Sequence, residues 1–80
     1  MTEEFKQAVC NHVDAHNKIV RAVNRVNRND IEEMEKLLKW AEPIAKQRDE
    51  SRAKILEMIE SEDATEEEYL WYKSMISKLL

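Results

Sequence analysis

The sequence contains no glycine, one proline and one cysteine among its 80 residues. Without glycine it has neither a glycine-rich phosphate loop nor the strained turn that presents the nucleophile in many hydrolases. The single cysteine, Cys10, excludes a disulfide within the chain and suits a reducing compartment. We therefore expect a cytoplasmic protein.

Two kinds of targeting segment are also missing from the pattern. No apolar run approaches the ~20 residues that a membrane-spanning helix needs, so we expect no membrane partner. The first residues, MTEEFKQ, are acidic where a secretory signal is basic and then apolar. The net charge of −4 disfavours a general coat for nucleic acid or membranes.

Helix-forming residues such as Glu, Lys, Ala and Leu dominate what is present. Apolar residues make up 42% of the chain, which is enough to form a core. A chain of this length forms one domain at most, so we expect a single helical domain over residues 1–80. Because so small a core supplies little net stability, we expect homo-oligomerisation to reinforce it.

Three segments repeat apolar residues about every 3.6 positions, as amphipathic helices do. The first begins after Thr2 and ends near residues 27–29. The second begins at Asp30, where Glu33 completes a capping box, and the third begins at Thr65, where Glu68 does the same. The sequence predicts an all-α fold, either a three-helix bundle or a long helical hairpin plus a short C-terminal helix.

Pro43 interrupts the second apolar stripe. One reading is a single helix kinked near Pro43, with the proline facing water. The other is a helix broken at Glu42, with Pro43 opening a new helix.

Four polar side chains occupy positions where the apolar stripes should be continuous. His12 and His16 lie at the centre of the first stripe, and Arg48 and Arg52 lie at the centre of the second. In an antiparallel hairpin that turns near residue 29, facing positions have numbers that add to about 58–60. This register predicts that His12 lies near Arg48 and that Arg52 lies near Val9.

No acidic residue occupies the centre of these faces, and burying an unpaired arginine is costly. The arginines reach solvent or pair locally, or a second subunit supplies their partner, or an anionic ligand such as a nucleotide phosphate binds there with tyrosine stacking. The candidate ligand-binding set is His12, His16, Arg48, Arg52, Tyr69 and Tyr72.

Metal and catalytic chemistry have little support in the sequence. The spacing of His12 and His16 would suit two zinc ligands, but Cys10 and Asp14 point away from that face and cannot complete the site. The serines lack a neighbouring histidine in any catalytic arrangement. We therefore predict no metal, no cofactor and no enzyme activity.

The candidate partner-binding residues are a basic ridge on the outer face of the first helix and two tryptophans outside the centre of the apolar stripes. The ridge has no acid within it, so it could bind phosphates or an acidic protein, unless the glutamates just past the turn neutralise it. It has no interleaved aromatic residue, which makes nucleic acid the weaker expectation. These residues are Lys18, Arg21, Arg25, Arg28, Trp40 and Trp71.

These features together favour a small non-enzymatic binding protein that acts through protein–protein interaction, as an adaptor or inhibitor, and as a homo-oligomer. Short, acidic, glycine-free helical chains are typical of phage-encoded accessory proteins. The alternative is a small-molecule binder or sponge that holds an anionic or nucleotide ligand in the Arg/His/Tyr set. A weaker alternative is an RNA or DNA contact through the basic ridge.

Overall fold

The computed structural model describes residues 2–80, which form three helices and no strand: α1 (Glu3–Arg25), α2 (Ile31–Glu60) and α3 (Glu66–Ile76). α1 and α2 form a long antiparallel hairpin, and α3 packs on α1. The all-α prediction is confirmed in its second form, a helical hairpin plus a short C-terminal helix. No helix among these residues is long and apolar enough to cross a bilayer.

α2 runs without interruption through Pro43, whose side chain is exposed. The alternative in which the chain breaks at Glu42 is therefore wrong. A proline removes only one intrahelical N–H bond, and here its ring lies on the solvent side. Trp40, before Pro43, lies next to Lys18 of α1, and Ile44, after it, lines a surface depression together with α1 residues, so α2 follows α1 on both sides of the proline.

The turn between α1 and α2 is made by asparagine and aspartate side chains, and α1 ends earlier than predicted. Val26 is already extended, with φ −75° and ψ 144°. Asn27 Oδ1 accepts from the N–H of Asn29, and Asp30 Oδ1 accepts from the N–H of Glu33. The Glu33 carboxylate accepts from the N–H of Asn27 at 3.3 Å. Asp30 therefore caps α2 as predicted, but the reciprocal half of the capping box is directed to the turn.

Glu68 joins the N-termini of α1 and α3. The capping box between Thr65 and Glu68 is present as predicted. The Thr2 side chain makes no capping bond, and instead the Thr2 N–H donates to Glu68 Oε2 at 2.9 Å. Backbone N–H bonds, first from Thr65 and then from Thr2, hold the pKa of Glu68 below its usual range. The carboxylate therefore stays charged although the residue is only 2% exposed.

The core lies at the open end of the hairpin. Phe5, Val9 and Ile55 are the fully buried large side chains, and Phe5 meets Tyr72 edge-on with ring centroids 6.3 Å apart. Beyond α3 the chain follows α1 as far as Asn17, whose side-chain amide bonds the backbone of Lys78 and Leu80. The third layer therefore covers α1 only as far as Asn17.

The opposite end of the hairpin, residues 18–45, is called the distal half below. None of its side chains is buried. The protein is accordingly elongated, with extents of 46 × 20 × 17 Å. Its radius of gyration is 14.9 Å, whereas a compact domain of this length has about 12 Å. The distal half is thus a two-helix arm without a covering element among residues 2–80.

Candidate functional site

One depression of about 400 Å³ lies where α1, α2 and the C-terminal segment meet. We call it the proximal depression. Five of the six predicted ligand-binding residues line it, although they come from three separate segments. Its lining is His12, His16, Arg48, Asp49, Arg52, Tyr72, Ile76 and Leu79.

His12 is the buried polar residue of this depression, 8% exposed. Its Nδ1–H donates to the backbone oxygen of Arg48 at 3.4 Å, which confirms the predicted pairing of these two positions. Burial lowers the pKa of His12, and the positive charges of His16, Arg52 and Arg48 lower it further, although the bond to the Arg48 oxygen acts in the opposite direction. The uncharged form of His12 is therefore favoured, and its neighbours are positively charged.

His16 lies one turn further along α1 and is half-buried. Its Nε2–H donates to the backbone oxygen of Leu80 at 3.3 Å. A carbonyl oxygen accepts only, so each imidazole has its proton on the nitrogen that faces the carbonyl. The second ring nitrogen of His12, whose pKa is lowered, therefore remains an acceptor.

The two arginines are not buried charges, in agreement with the first of the three alternatives, that they reach solvent or pair locally. Arg48 Nε lies 3.1 Å from Asp49 Oδ1, and the two side chains are 28% and 67% exposed. Arg52 is exposed. Among the described residues no buried side-chain nitrogen or oxygen lacks a partner. The long arginine side chains reach solvent or a neighbour, as the first of the three alternatives required.

Asp49 lines the depression but was not among the predicted residues. On a helical wheel it lies about 100° from Arg48 and so outside the apolar stripe. Its carboxylate nevertheless lines the depression because the Arg48 side chain extends to meet it. The signal in the sequence that could have identified Asp49 is its opposite charge directly after Arg48, beside the apolar stripe.

The two tyrosines do not provide a stacking surface. Tyr72 is 8% exposed, with its ring packed against Phe5. Tyr69 lies outside the depression and is 41% exposed, with Lys73 Nζ 5.7 Å from its ring centroid. The prediction of Tyr69 as a lining residue is therefore wrong, because only the Tyr72 side of α3 faces α1.

The basic ridge lies on the distal half, away from this depression. Its four side chains are exposed and form no ion pair among residues 2–80. Glu32 pairs with Lys36, so neutralisation of the ridge across the turn does not occur. Lys18 Nζ lies 5.7 Å from the ring centroid of Trp40, which places two predicted partner-binding features side by side.

A shallow groove of about 370 Å³ runs between α1 and α2 next to Trp40. We call it the distal groove. Val26 and Leu37 contribute apolar surface and Arg25 contributes charge. Trp40 is 40% exposed. Ile31 and Leu38, two apolar residues of α2 outside this groove, are 76% and 65% exposed.

Trp71 does not belong to an exposed surface. Its ring lies 6.4 Å from the ring of Phe5, and it packs against the core. Trp71 is half-buried at the contact between α3 and α1, so it is not the exposed tryptophan that its position outside the stripe suggested, and its partner-binding role stays a prediction.

Within residues 2–80 no group of three or more His, Cys, Asp or Glu side chains is placed to hold a metal ion. Comparison of the chain with family models, with curated proteins and with solved structures found no match.

Proposed function

We propose that this protein is a non-enzymatic interaction module that assembles with further copies of itself through the distal half of its hairpin. The observation that carries the proposal is an apolar stripe without cover. Ile31 and Leu38 are more than half exposed, and no side chain of the distal half is buried. Contiguous exposed apolar surface on a small protein marks an interaction site.

The total exposed surface supports an interface of ordinary size. The chain exposes 5916 Å². A compact monomer of this mass exposes about 5,000 Å², so the excess is roughly the 800 Å² that each partner buries in a standard interface. Covering the distal half would therefore bring the protein to a typical exposed area.

The charges of the distal half favour a second copy of this chain as the partner. Four cations and no acid lie between Lys18 and Arg28, and four acids and no cation lie between Asp30 and Glu35. In a two-fold symmetric dimer the same surface of both chains forms the interface, and the two surfaces run in opposite directions. The basic ridge of one chain then faces the acidic start of α2 in the other.

Trp40 is the expected anchor of this interface. It lines the distal groove, and Lys18 covers part of its ring. Tryptophan buried at the centre of an interface contributes more binding energy than most residue types. Leu38 is exposed on the opposite flank of α2, about 160° around the helix from Trp40, so an interface that includes both residues extends over two flanks of the helix.

The test is the mass in solution, by light scattering or sedimentation, of the wild type and of Leu38→Glu. We expect a wild-type mass of more than one chain and a shift towards one chain in the variant, because a buried unpaired carboxylate is costly. Leu70→Glu is the matched control, since Leu70 is 59% exposed but lies on α3.

Two results would contradict self-assembly. One is a wild-type mass of a single chain at every concentration tested. The other is an equal loss of mass in Leu38→Glu and Leu70→Glu, which would place the interface elsewhere or indicate general insolubility.

A further inference from the structure

The proposed self-assembly gives no role to the residues that line the proximal depression. The depression is formed within one chain near the middle of the hairpin and shares no lining residue with the distal groove. The charged or titratable groups that line it come from all three helices. α1 contributes His12 and His16, α2 contributes Arg48, Asp49 and Arg52, and α3 contributes Tyr72.

Positive charge exceeds negative charge in this lining. The two guanidinium groups are opposed by one carboxylate, and both histidines can add further charge. The carboxylate, Asp49, is 67% exposed and contacts only Arg48 among these groups. Arg52 forms no ion pair among residues 2–80. The depression therefore offers donors to an anion and has few acceptors of its own.

The lining holds two imidazoles that can donate to an anion, and His12 can respond to one by taking up a proton. Each has one ring nitrogen donating to a backbone oxygen, His12 to Arg48 and His16 to Leu80. A proton on the second nitrogen converts each ring into a double donor without breaking that bond. An oxygen-rich anion next to them would favour this protonated form.

The lining also limits what kind of anion fits. A volume of about 400 Å³ is within the range of small-molecule sites. The covered ring of Tyr72 and the outward position of Tyr69 leave no aromatic face for a nucleobase. Two arginines and two imidazoles instead match the oxygens of a phosphate group.

We propose that the proximal depression binds a dianionic phosphate group, free or as a monoester, and that Asp49 competes with this group for the Arg48 guanidinium. The bound oxyanion takes the place of the Asp49 carboxylate on Arg48 and also contacts Arg52. Recognition is of the phosphate group and not of the molecule attached to it.

The experiment is a titration of the full chain with inorganic phosphate, by calorimetry or amide chemical shifts, at ionic strength held constant with sodium chloride. Arg48→Gln and Arg52→Gln should each weaken binding about tenfold or more, because each removes a charge-assisted bond. Asp49→Asn should strengthen binding several-fold by freeing Arg48. Arg28→Gln, an exposed arginine at the far turn, is the matched control and should leave binding unchanged.

Sulfate and adenosine monophosphate separate the sources of affinity. Sulfate keeps its two charges across neutral and mildly acidic pH, so tighter sulfate binding at lower pH reports protonation of a group on the protein, which we expect to be His12. Replacing both histidines with glutamine should abolish that pH dependence. Adenosine monophosphate should bind within a few-fold of phosphate, because no aromatic face receives the base.

The proposal is overturned by absence of phosphate binding in the wild type, by an unchanged affinity in Asp49→Asn, or by an equal loss in Arg28→Gln and Arg52→Gln. Much tighter binding of adenosine monophosphate than of phosphate would overturn the assignment of the ligand class. None of these results depends on self-assembly, which the Leu38→Glu variant tests separately.

Discussion

Glu68 is the residue on which two helix starts depend. Its two carboxylate oxygens accept from the N–H groups of Thr2 and Thr65, so one side chain caps α3 and holds Thr2, the N-cap residue of α1, against it. We predict that Glu68→Ala lowers the melting temperature, because two N–H groups lose their acceptor at once. Glu67→Ala, at the exposed neighbouring position, should change it little.

The same contact predicts the direction of the pH dependence. The pKa of Glu68 is lower in the fold than its ordinary value of 4.5. The stabilisation is therefore complete above that value and is lost as the pH falls through the pKa of the folded state. Thermal melts should show the difference between Glu68→Ala and the wild type narrowing at acidic pH. A difference that stays constant would show that the carboxylate charge plays no part.

The local sequence predicted one of the two contacts that the Glu68 carboxylate makes. The capping box with Thr65 spans three residues and is visible in the pattern. The bond to Thr2 joins positions 66 residues apart and depends on how α3 is laid against α1. The register of the hairpin likewise predicted that His12 lies near Arg48. The place of Asp49 beside them depends on how the Arg48 side chain extends, which only the three-dimensional structure shows.

At the scale of the helix, Pro43 lies within α2 without ending it. We predict that Pro43→Ala stabilises the protein by up to about 3 kcal/mol, because alanine restores the intrahelical N–H bond and removes the ring clash. Urea unfolding followed by circular dichroism measures this free energy. Glu42→Ala, also exposed, is the control and should change it by less than about 0.5 kcal/mol.

A loss of stability in Pro43→Ala would contradict this prediction. It would mean that the proline sets a curvature of α2 that the contact with α1 requires. The sequence left a kink and a break as alternatives because propensity alone cannot say how strongly the turns on each side are held. The contact between α1 and α2 excluded the break.

Helical periodicity identified which residues form each stripe, but not whether anything covers it. Val9 and Leu38 both belong to apolar stripes, yet Val9 is fully buried and Leu38 is 65% exposed. The difference arises from the end of α3 at Ile76, which leaves no third element beside the distal half. Trp71 and Tyr69 were misplaced for a related reason, since the angle at which α3 lies over Phe5 is not in its sequence.

For the whole molecule, the uneven core predicts uneven stability. Buried side chains are confined to the end that α3 covers, while the distal half relies on contacts between two helices. In the Leu38→Glu variant we predict that amide hydrogens of residues 20–38 exchange about tenfold or more faster than those of residues 5–13. Hydrogen exchange followed by mass spectrometry or nuclear magnetic resonance measures both segments in one sample.

The wild type provides the comparison. If copies assemble through the distal half, protection of residues 20–38 should rise with protein concentration, whereas residues 5–13 should be unaffected. Equal protection of both segments in Leu38→Glu would show that the hairpin alone is a cooperative unit.

The sequence by itself determined the helical fold class, the three segments and the two caps at Asp30 and Thr65, because these follow from interactions within a few residues. It also brought His12 close to Arg48, since an antiparallel hairpin with a short turn allows few registers. Only the tertiary structure decided that the arginines reach solvent, that Trp71 packs against the core and that no third helix covers the distal half. These outcomes depend on where α3 lies and how far it extends, and no local pattern encodes that placement.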